Sequence, residues 1–379
     1  MNTIDYEAIA RGGVEALRRG DAKAARAAFE QVTAAGRASH QLRLFLAQAC
    51  EIEGDGPAME AALVPVLEAE PRNLYALLMN GEYRQRIGDD RAAASWFGMA
   101  ISSAQGMQGL SPDLPPRLKR AEQAVLQMQR KFRDHLQTQL EQAGVLGAGP
   151  RFDEAMAILR GEAQAQLQQP TSFYYPRLPN IPFYDPADFD WVPALEAETG
   201  AIRAEVEAVL AADRDVAPYV RANSDRPTRE HALLNDPSWS AYYLWQDGAL
   251  VEEHAAACPR TVAALHGLGM PEIRGRSPSV LFSVLKPGTH IPPHWGMFNT
   301  RLICHLPLIV PADCRLRVGN ETRTVEAGKM MIFDDSIEHE AWNDSGETRV
   351  ILLFEVWKPE LDQAERKALT AMFEAIGSY

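Results

Sequence analysis

The sequence predicts an α+β chain of several domains, in which an all-α solenoid of helical repeats precedes a double-stranded β-helix, or jelly roll. Three observations support this fold class. A Gly-Asp pair recurs every 34 residues in the first hundred residues, proline and aromatic residues become dense after residue 170, and seven short strand patterns follow in the last third. These strand patterns are closely spaced without helical patterns between them, which favours antiparallel sheets over a parallel sheet with helical crossovers.

The helical repeats are indicated by residues that recur in phase. The repeated positions are Gly20-Asp21, Gly54-Asp55 and Gly88-Asp89, then Ala24, Ala58 and Ala92, then the bulky Phe29, Leu63 and Phe97. We expect each glycine to end one helix in a tight turn and each alanine to let the next helix approach it closely. This period resembles the tetratricopeptide repeat, which stacks two helices per 34 residues. Residues 1–145 are therefore predicted to form tetratricopeptide-like repeats, whose groove either binds a peptide or only supports the next domain.

The remainder of the chain divides into a linker helix, predicted at 146–170, and a jelly roll at 171–379. The seven candidate strands have the sequences SVLFSVL, RLICHLPLIV, RLRVG, TRTVE, KMMIFDD, HEAWN and TRVILLFEVW. Each is bounded by Pro, Gly, Asn or Asp, residues that favour turns. The Gly319-Asn320 pair between two of these strands predicts a tight hairpin.

Composition limits the classes of function. The chain has 379 residues, of which 46% are hydrophobic, and a net charge of −13, which disfavours nonspecific attachment to nucleic acid or anionic lipid. Its apolar runs are shorter than a membrane span, and its first residues lack the apolar core of a signal peptide. The four cysteines are scattered and suit a reducing compartment. We therefore expect a cytoplasmic protein with neither a nucleic acid nor a membrane as partner.

Strand alternation predicts which polar side chains point into the jelly roll. Arg301 and His305 lie on one face of the strand RLICHLP, and Ser283 lies among apolar residues of the strand before it. His339 and Arg349 flank a turn, and pairing of their two strands in a hairpin would place both on one face. With His294, these residues would gather imidazole, guanidinium and hydroxyl groups in one cavity.

This combination suits an iron(II) centre that uses an oxo-acid as co-substrate. Neutral imidazoles bind Fe(II), and a buried Arg-Ser pair can anchor a carboxylate. The usual motif has an acidic residue two positions after the first histidine, where this chain has Gly296. From these residues alone, histidines that are hydrogen-bonded within the core remain an open alternative.

Four ordered motifs resemble the catalytic domain of the aspartyl/asparaginyl β-hydroxylase family, which are Fe(II)- and 2-oxoglutarate-dependent dioxygenases on a jelly roll. The motifs are GTHIPPHWG, RLICHLPL, FDDSIEHEAWN and VWKPEL, and the likeness extends over roughly residues 172 to 362. This family is known to bind iron with two histidines and no acidic ligand. The resemblance therefore implies that His294 and His339 are the catalytic iron ligands.

The resemblance also implies roles for other residues. Ser283 and Arg349 match the residues that hold the distal carboxylate of 2-oxoglutarate, His305 matches the histidine beside its C1 carboxylate, and Arg301 matches an arginine that faces the substrate. Asp334 or Asp335 could instead be a turn residue or could order water bound to iron. His290 is expected in a loop outside the ligand set, and Trp295 is expected either to line the mouth of the substrate site or to pack against its neighbours.

One departure concerns the substrate. The family commonly has an arginine at the position of Ile303, so a neutral residue is expected to be accepted at least as well as aspartate. The implied activity is an O2-using hydroxylation of an Asp/Asn-type or another residue in a peptide or protein, with the repeats recruiting this substrate. Three alternatives remain open, namely a hydroxylase of a lipid or small molecule, a halogenase, and a non-catalytic scaffold with a degenerate jelly roll.

Overall fold

The computed structural model describes residues 4–212, 216–222 and 232–379. The chain separates into two compact units, Met1–Ala148 and Gly149–Tyr379. The segment predicted as a linker helix, residues 146–170, therefore falls largely in the second unit. Within the described residues, every helix is either too short or too polar to cross a lipid bilayer.

The first unit contains seven helices in the part of the chain that is described. They are α1 (Tyr6–Arg18), α2 (Ala22–Ala34), α3 (His40–Ile52), α4 (Gly56–Ala69), α5 (Leu74–Arg86), α6 (Asp90–Ala104) and the long α7 (Leu114–Ala143). The first six form three pairs of consecutive helices, α1 with α2, α3 with α4 and α5 with α6, and the repeated Gly-Asp lies in the turn within each pair. Asp21, Asp55 and Asp89 cap the second helix of each pair and accept a backbone N–H at 3.0, 3.1 and 3.0 Å. The predicted helical repeats are thus confirmed.

The close approach of paired helices is made by residues other than those predicted. A Cβ atom on Gly13 would lie 2.6 Å from the ring of Phe29, and one on Gly81 would lie 2.5 Å from the ring of Phe97. Ala24, which was expected to provide this space, is exposed. In the first and third pairs the small residue at the close contact thus lies on the first helix, and the predicted position was wrong for Ala24, whereas Ala58 is partly buried against the core of the repeats.

The second unit consists of two antiparallel sheets with helices around them. Its helices are α8 (Pro150–Leu159), α9 (Val192–Ala197), α10 (Thr199–Ala211), α11 (Glu252–Ala257), α12 (Pro259–Ala264) and α13 (Gln363–Gly377). Its strands are β1 (Phe183–Tyr184), β2 (Ala217–Pro218), β3 (Trp239–Gln246), β4 (Ala249–Leu250), β5 (Val280–Leu285), β6 (Thr289–His294), β7 (Arg301–Ile309), β8 (Cys314–Val318), β9 (Glu321–Thr324), β10 (Met331–Phe333), β11 (His339–Asn343) and β12 (Arg349–Trp357). The larger sheet has the order β1-β10-β7-β12-β5-β3-β2, with β4 beside β3, and the smaller has the order β6-β11-β8-β9. The predicted jelly roll is confirmed.

All seven predicted strands are present, as β5 and β7 to β12. Gly319 and Asn320 form the predicted two-residue hairpin between β8 and β9, since Val318 pairs with Glu321 and Gly319 has a φ of 58°. Strands β3 and β6 were not predicted. In β6 the two prolines at 292 and 293 hid the strand, but they are compatible with it because β6 lies at the edge of the smaller sheet.

The hairpin expected between His339 and Arg349 is absent from the described strands. His339 begins β11 in the smaller sheet, which pairs with β6 and β8, whereas Arg349 begins β12 in the larger sheet, which pairs with β5 and β7. The chain crosses from one sheet to the other between these residues. Both side chains nevertheless line the same cavity, because the two sheets face each other.

Two apolar layers fix the position of that cavity. The outer face of the larger sheet, including Phe282 and Leu352, packs with Ile202 and Val206 of α10. The inner face packs against the smaller sheet in a second cluster, which joins Leu285, Ile303, Leu316, Val318 and Ala341 among others. The polar residues described next lie on these inner faces.

Candidate active site

A cavity of about 820 Å³ is lined by residues of both sheets. It brings together all seven candidate residues from the sequence, namely Ser283, His294, Arg301, His305, Asp335, His339 and Arg349. They come from β5, β6, β7, β11 and β12 and from the loop before β11. Residues far apart in the sequence thus converge on one polar interior.

The two histidines proposed as metal ligands lie directly opposite each other. His294 and His339 pair in the register of β6 and β11, and their ring centroids are 4.0 Å apart. Each Nδ1 atom lies near a backbone carbonyl oxygen, that of Pro292 at 2.8 Å and that of Ile337 at 3.0 Å. With the Nδ1 proton donated to a carbonyl, Nε2 of each ring is the atom that can bind a metal.

Burial keeps two of the inward histidines, His305 and His339, neutral. Burial lowers the pKa of His339 to about 4, and burial together with Arg349 holds the pKa of His305 well below its ordinary value. Neutral imidazole is the form that binds a metal ion. The ring of His305 is fixed by an edge contact with Phe333, at 4.9 Å between centroids.

Gly296 stands where the usual motif has an acidic ligand. The carboxylate of Asp335 fills the space that a side chain at this position would need. A Cβ atom on Gly296 would lie 2.0 Å from Oδ2 of Asp335. The backbone N–H of Gly296 donates to the carbonyl oxygen of Asp335 at 2.6 Å, which holds the two segments together. Across the described residues, no three His, Cys, Asp or Glu side chains converge in a cluster that could hold a metal ion. A metal site in this cavity would therefore rest on the pair His294 and His339, without a third ligand of these residue types among the described residues.

Arg301 is already paired with two acids. It donates to Glu355, which is fully buried, and its other terminal nitrogen lies 3.3 Å from Oδ2 of Asp335. Burial raises the pKa of Asp335, and the positive charge of Arg301 opposes this shift. The charge of Arg301 is thus largely neutralised within the cavity wall.

Arg349 differs from Arg301 in having no acidic partner among the described residues. Its side chain is only 2% exposed, and its Nε atom is buried without a hydrogen-bond partner. Burial lowers its pKa to about 10. Ser283, on the neighbouring strand β5, accepts a hydrogen bond from the indole N–H of Trp239 at 3.1 Å and retains its own hydroxyl proton for donation. A buried, unpaired guanidinium beside a hydroxyl is a site suited to an anion.

The two adjacent aspartates have different roles. Asp335 points into the cavity, with Oδ1 buried and lacking a partner in the described residues. Asp334 points away and accepts hydrogen bonds from Lys358 at 2.6 Å, from Ser336 at 2.6 Å and from Gln168 at 2.7 Å. Asp334 is therefore a structural residue of the turn before β11.

Several residues of the site were not predicted to belong to it. Glu355 shares the inward face of β12 with Arg349, and the alternation in RVILLFEVW could have indicated this. Trp239 and Tyr219 stack at 4.2 Å between centroids on one wall. Trp295 lines the cavity, which is one of the two positions expected for it, and its indole N–H is buried without a partner in the described structure.

His290 was expected in a loop, and that expectation was wrong. It lies on β6, stacks on Trp342 at 5.0 Å between centroids, and its Nε2 atom is 2.8 Å from Glu340. It is not among the residues that line the cavity. Its position on the outer side of the smaller sheet follows from alternation with Ile291.

The fold and the cavity together define a jelly-roll domain whose interior presents three histidines and a buried arginine without an acidic partner among the described residues. Comparison with known proteins places this domain more narrowly. The family model for the aspartyl/asparaginyl β-hydroxylases matches residues 196–359. Residues 196–359 are thus similar to the aspartyl/asparaginyl β-hydroxylase family, in the region where the sequence motifs indicated this resemblance.

Individual relatives cover the same region. The chain is 37% identical to the human aspartyl/asparaginyl beta-hydroxylase over 185 residues, which are 48% of this chain and 24% of that protein. It is 37% identical over 188 residues to the ornithine lipid ester-linked acyl 2-hydroxylase of Rhizobium tropici, covering 49% of this chain and 63% of that protein. It is also 32% identical to the aspartate beta-hydroxylase domain-containing protein 2 of Xenopus tropicalis, covering 55% of each. The chain thus spans from 24% to 63% of the length of these three relatives.

Proposed function

We propose that this chain is an Fe(II)- and 2-oxoglutarate-dependent hydroxylase acting on an Asp/Asn-type or another residue of a peptide or protein. The observation that carries the proposal is the joint presence, in one cavity, of a pair of facing histidines and a buried arginine without an acidic partner in the described residues. The first suits a divalent metal, and the second suits the distal carboxylate of a dicarboxylic acid.

The residues present fit both groups. His294 and His339 would hold the metal through their Nε2 atoms, since each Nδ1 is engaged by a carbonyl. Arg349 and Ser283 would hold the distal carboxylate of 2-oxoglutarate, and His305 would lie beside the opposite end. Bound Fe(II) with 2-oxoglutarate supplies the oxidising chemistry by which O2 hydroxylates a carbon atom while 2-oxoglutarate is converted to succinate and CO2.

The chain's own side chains would orient the reactants and exclude water. Asp335 occupies the space of the missing ligand and can accept a hydrogen bond from water beside the histidine pair. The apolar side chains of Ile303, Phe333 and Leu353 line the cavity between the polar groups. They keep the interior dry, which strengthens the ionic contacts made there.

The substrate group that reacts is proposed to be neutral. Arg301, the cation that faces it, already pairs with Glu355 and Asp335. Ile303 adds no positive charge. An aspartate side chain placed beside Arg301 would meet two carboxylates and one neutralised guanidinium, which disfavours a further negative charge at that point.

The helical repeats are proposed to recruit the substrate peptide. A depression of about 410 Å³ in the first unit is lined by residues of α3, α5 and α7, with apolar contacts from Phe45, Tyr75 and Met79 and polar ones from Gln41 and Gln48. Such mixed linings suit extended or helical peptides.

Peptide hydroxylation can be tested with matched peptides that differ only in a central Asn or Asp. We expect a 16 Da gain in the presence of Fe(II) and 2-oxoglutarate, with Asn modified at least as fast as Asp. Gln48→Trp, which fills the depression, should lower peptide turnover more than Gln31→Trp on the outer helix α2. A gain confined to Asp would refute the neutral pocket, and equal effects of the two variants would refute recruitment by the repeats.

A second candidate is favoured by the bacterial relative, whose name specifies an acyl 2-hydroxylase and of which this chain covers the larger share. The cavity volume of about 820 Å³ would also accommodate part of an acyl chain. Hydroxylation of an acyl lipid, with no peptide modified in the same assay, would favour this candidate.

A further inference from the structure

Arg276 is one of the residues that line the cavity of the candidate active site, and two aromatic rings contact its side chain. It belongs to a tight turn closed by reciprocal backbone hydrogen bonds between Ile273 and Ser277, at 2.8 and 2.9 Å. Its guanidinium carbon lies 5.0 Å from the ring centroid of Phe298 and 4.9 Å from that of Phe373 in the C-terminal helix α13. These cation–π contacts hold the planar group in place at little further entropic cost on binding.

The three arginines that line the cavity differ in their partners. Arg301 is paired with two carboxylates, and Arg349 is fully buried beside Ser283. Arg276 has no carboxylate within salt-bridge distance in the part of the chain that the structure describes, and its side chain is partly accessible. Among the described residues that line the cavity, Arg276 is therefore the arginine that has no acidic partner and that a substrate can also reach.

The two rings are 5.0 Å apart between centroids and contact the guanidinium from one side, which leaves its N–H groups to donate hydrogen bonds. Carboxylates bind such an edge with two parallel bonds. The acids that line the cavity do not serve this purpose, because Asp335 and Glu355 are held by Arg301, and Asp247 forms no ion pair with Arg276 among the described residues.

We propose that Arg276 is a specificity residue that binds the carboxylate of an acidic residue in the peptide substrate, separate from the residue that is hydroxylated. The inference rests on the proposed function and extends it to substrate sequence. A neutral side chain would react beside Arg301, while an acidic side chain of the same peptide would be held at Arg276. This two-point recognition requires an oligopeptide and would not act on a free amino acid.

The test is affinity selection from a peptide library by the full chain, without iron or O2, read by mass spectrometry. The library contains pairs that differ only by Glu or Gln at one position flanking a central Asn. The wild-type chain should enrich the Glu member about tenfold over its Gln partner, the range expected for a charge-assisted contact. Arg276→Gln should reduce this ratio to about one, and Arg276→Glu should favour Lys over Gln at the same position.

Arg274 provides the matched control, because it lies in the same turn but is exposed and pairs with Glu374 at 3.7 Å. Arg274→Gln should keep the Glu preference. Equal enrichment of Glu and Gln peptides by the wild-type chain, or a preference that survives in Arg276→Gln, would overturn the proposal. Arg276-dependent binding to vesicles of anionic phospholipid without a Glu preference among peptides would overturn it as well.

The selection separates this inference from the proposed function. It needs neither metal nor turnover, so a Glu preference that depends on Arg276 can appear even if no 2-oxoglutarate is consumed. Conversely, succinate formation without the Glu preference would refute only the role of Arg276.

Discussion

Replacing Arg349 with methionine should stabilise the protein and weaken its affinity for 2-oxoglutarate. Arg349 is buried with no acidic partner among the described residues, and burial lowers its pKa to about 10. This shift corresponds to an electrostatic cost of about 3 kcal/mol for holding the charged form without a bound anion. Methionine keeps the length of the side chain and removes the charge, so we expect a gain of about 1–3 kcal/mol in the free energy of unfolding.

The same substitution removes the partner of the distal carboxylate. Loss of a charge-assisted hydrogen bond costs about 1.5–3 kcal/mol, so the dissociation constant for 2-oxoglutarate should rise by roughly tenfold to a hundredfold. Thermal unfolding with and without 2-oxoglutarate measures both effects. The wild-type transition should move upward when 2-oxoglutarate is added, while that of Arg349→Met should start higher and stay in place.

Arg301→Met is the matched control, because this arginine is paired with the fully buried Glu355. Removing it leaves a buried carboxylate without its partner and should destabilise the fold by about 3–5 kcal/mol. If Arg349→Met lowers the unfolding temperature as much as Arg301→Met does, or if 2-oxoglutarate still stabilises Arg349→Met, the reasoning about the unpaired charge is refuted.

Two further substitutions probe the residues around the histidine pair. Gly296→Ala should abolish activity and lower the free energy of unfolding by about 1–3 kcal/mol, because the new Cβ overlaps the carboxylate of Asp335. Circular dichroism measures the stability and a succinate assay the activity, and a variant unaffected in both would show that the segment can shift. Lys358→Met should cost about 3–5 kcal/mol in chemical denaturation because it leaves Asp334 buried and unpaired, and the added change Asp334→Asn should recover part of the loss; an additive double variant would contradict this coupling.

The sequence allowed most of the strands and all candidate site residues to be placed, because strand alternation and short motifs are local properties. The alternation in RLICHLP correctly predicted that Arg301 and His305 share a face. The strand that carries His294 was missed, since proline is rare in strands and only the position of β6 at a sheet edge explains it.

What the sequence could not provide is the pairing of charges and strands across the two sheets. The separation of β11 and β12 into different sheets depends on long-range pairing. The neutralisation of Arg301 by Glu355 and the contact of Arg276 with Phe373 join residues 54 and 97 positions apart. Local patterns carry no information about such contacts, although they decide which arginine remains available to a ligand.

The central claim is that the histidine pair and Arg349 form a centre that consumes 2-oxoglutarate with iron. It is tested most directly by measuring succinate formed from 2-oxoglutarate by the purified full chain, with and without added Fe(II), beside His339→Ala with its fold checked by circular dichroism. We predict iron-dependent succinate from the wild-type chain and none above background from the folded variant. Absence of succinate from the wild-type chain, or equal succinate from His339→Ala, would contradict the claim.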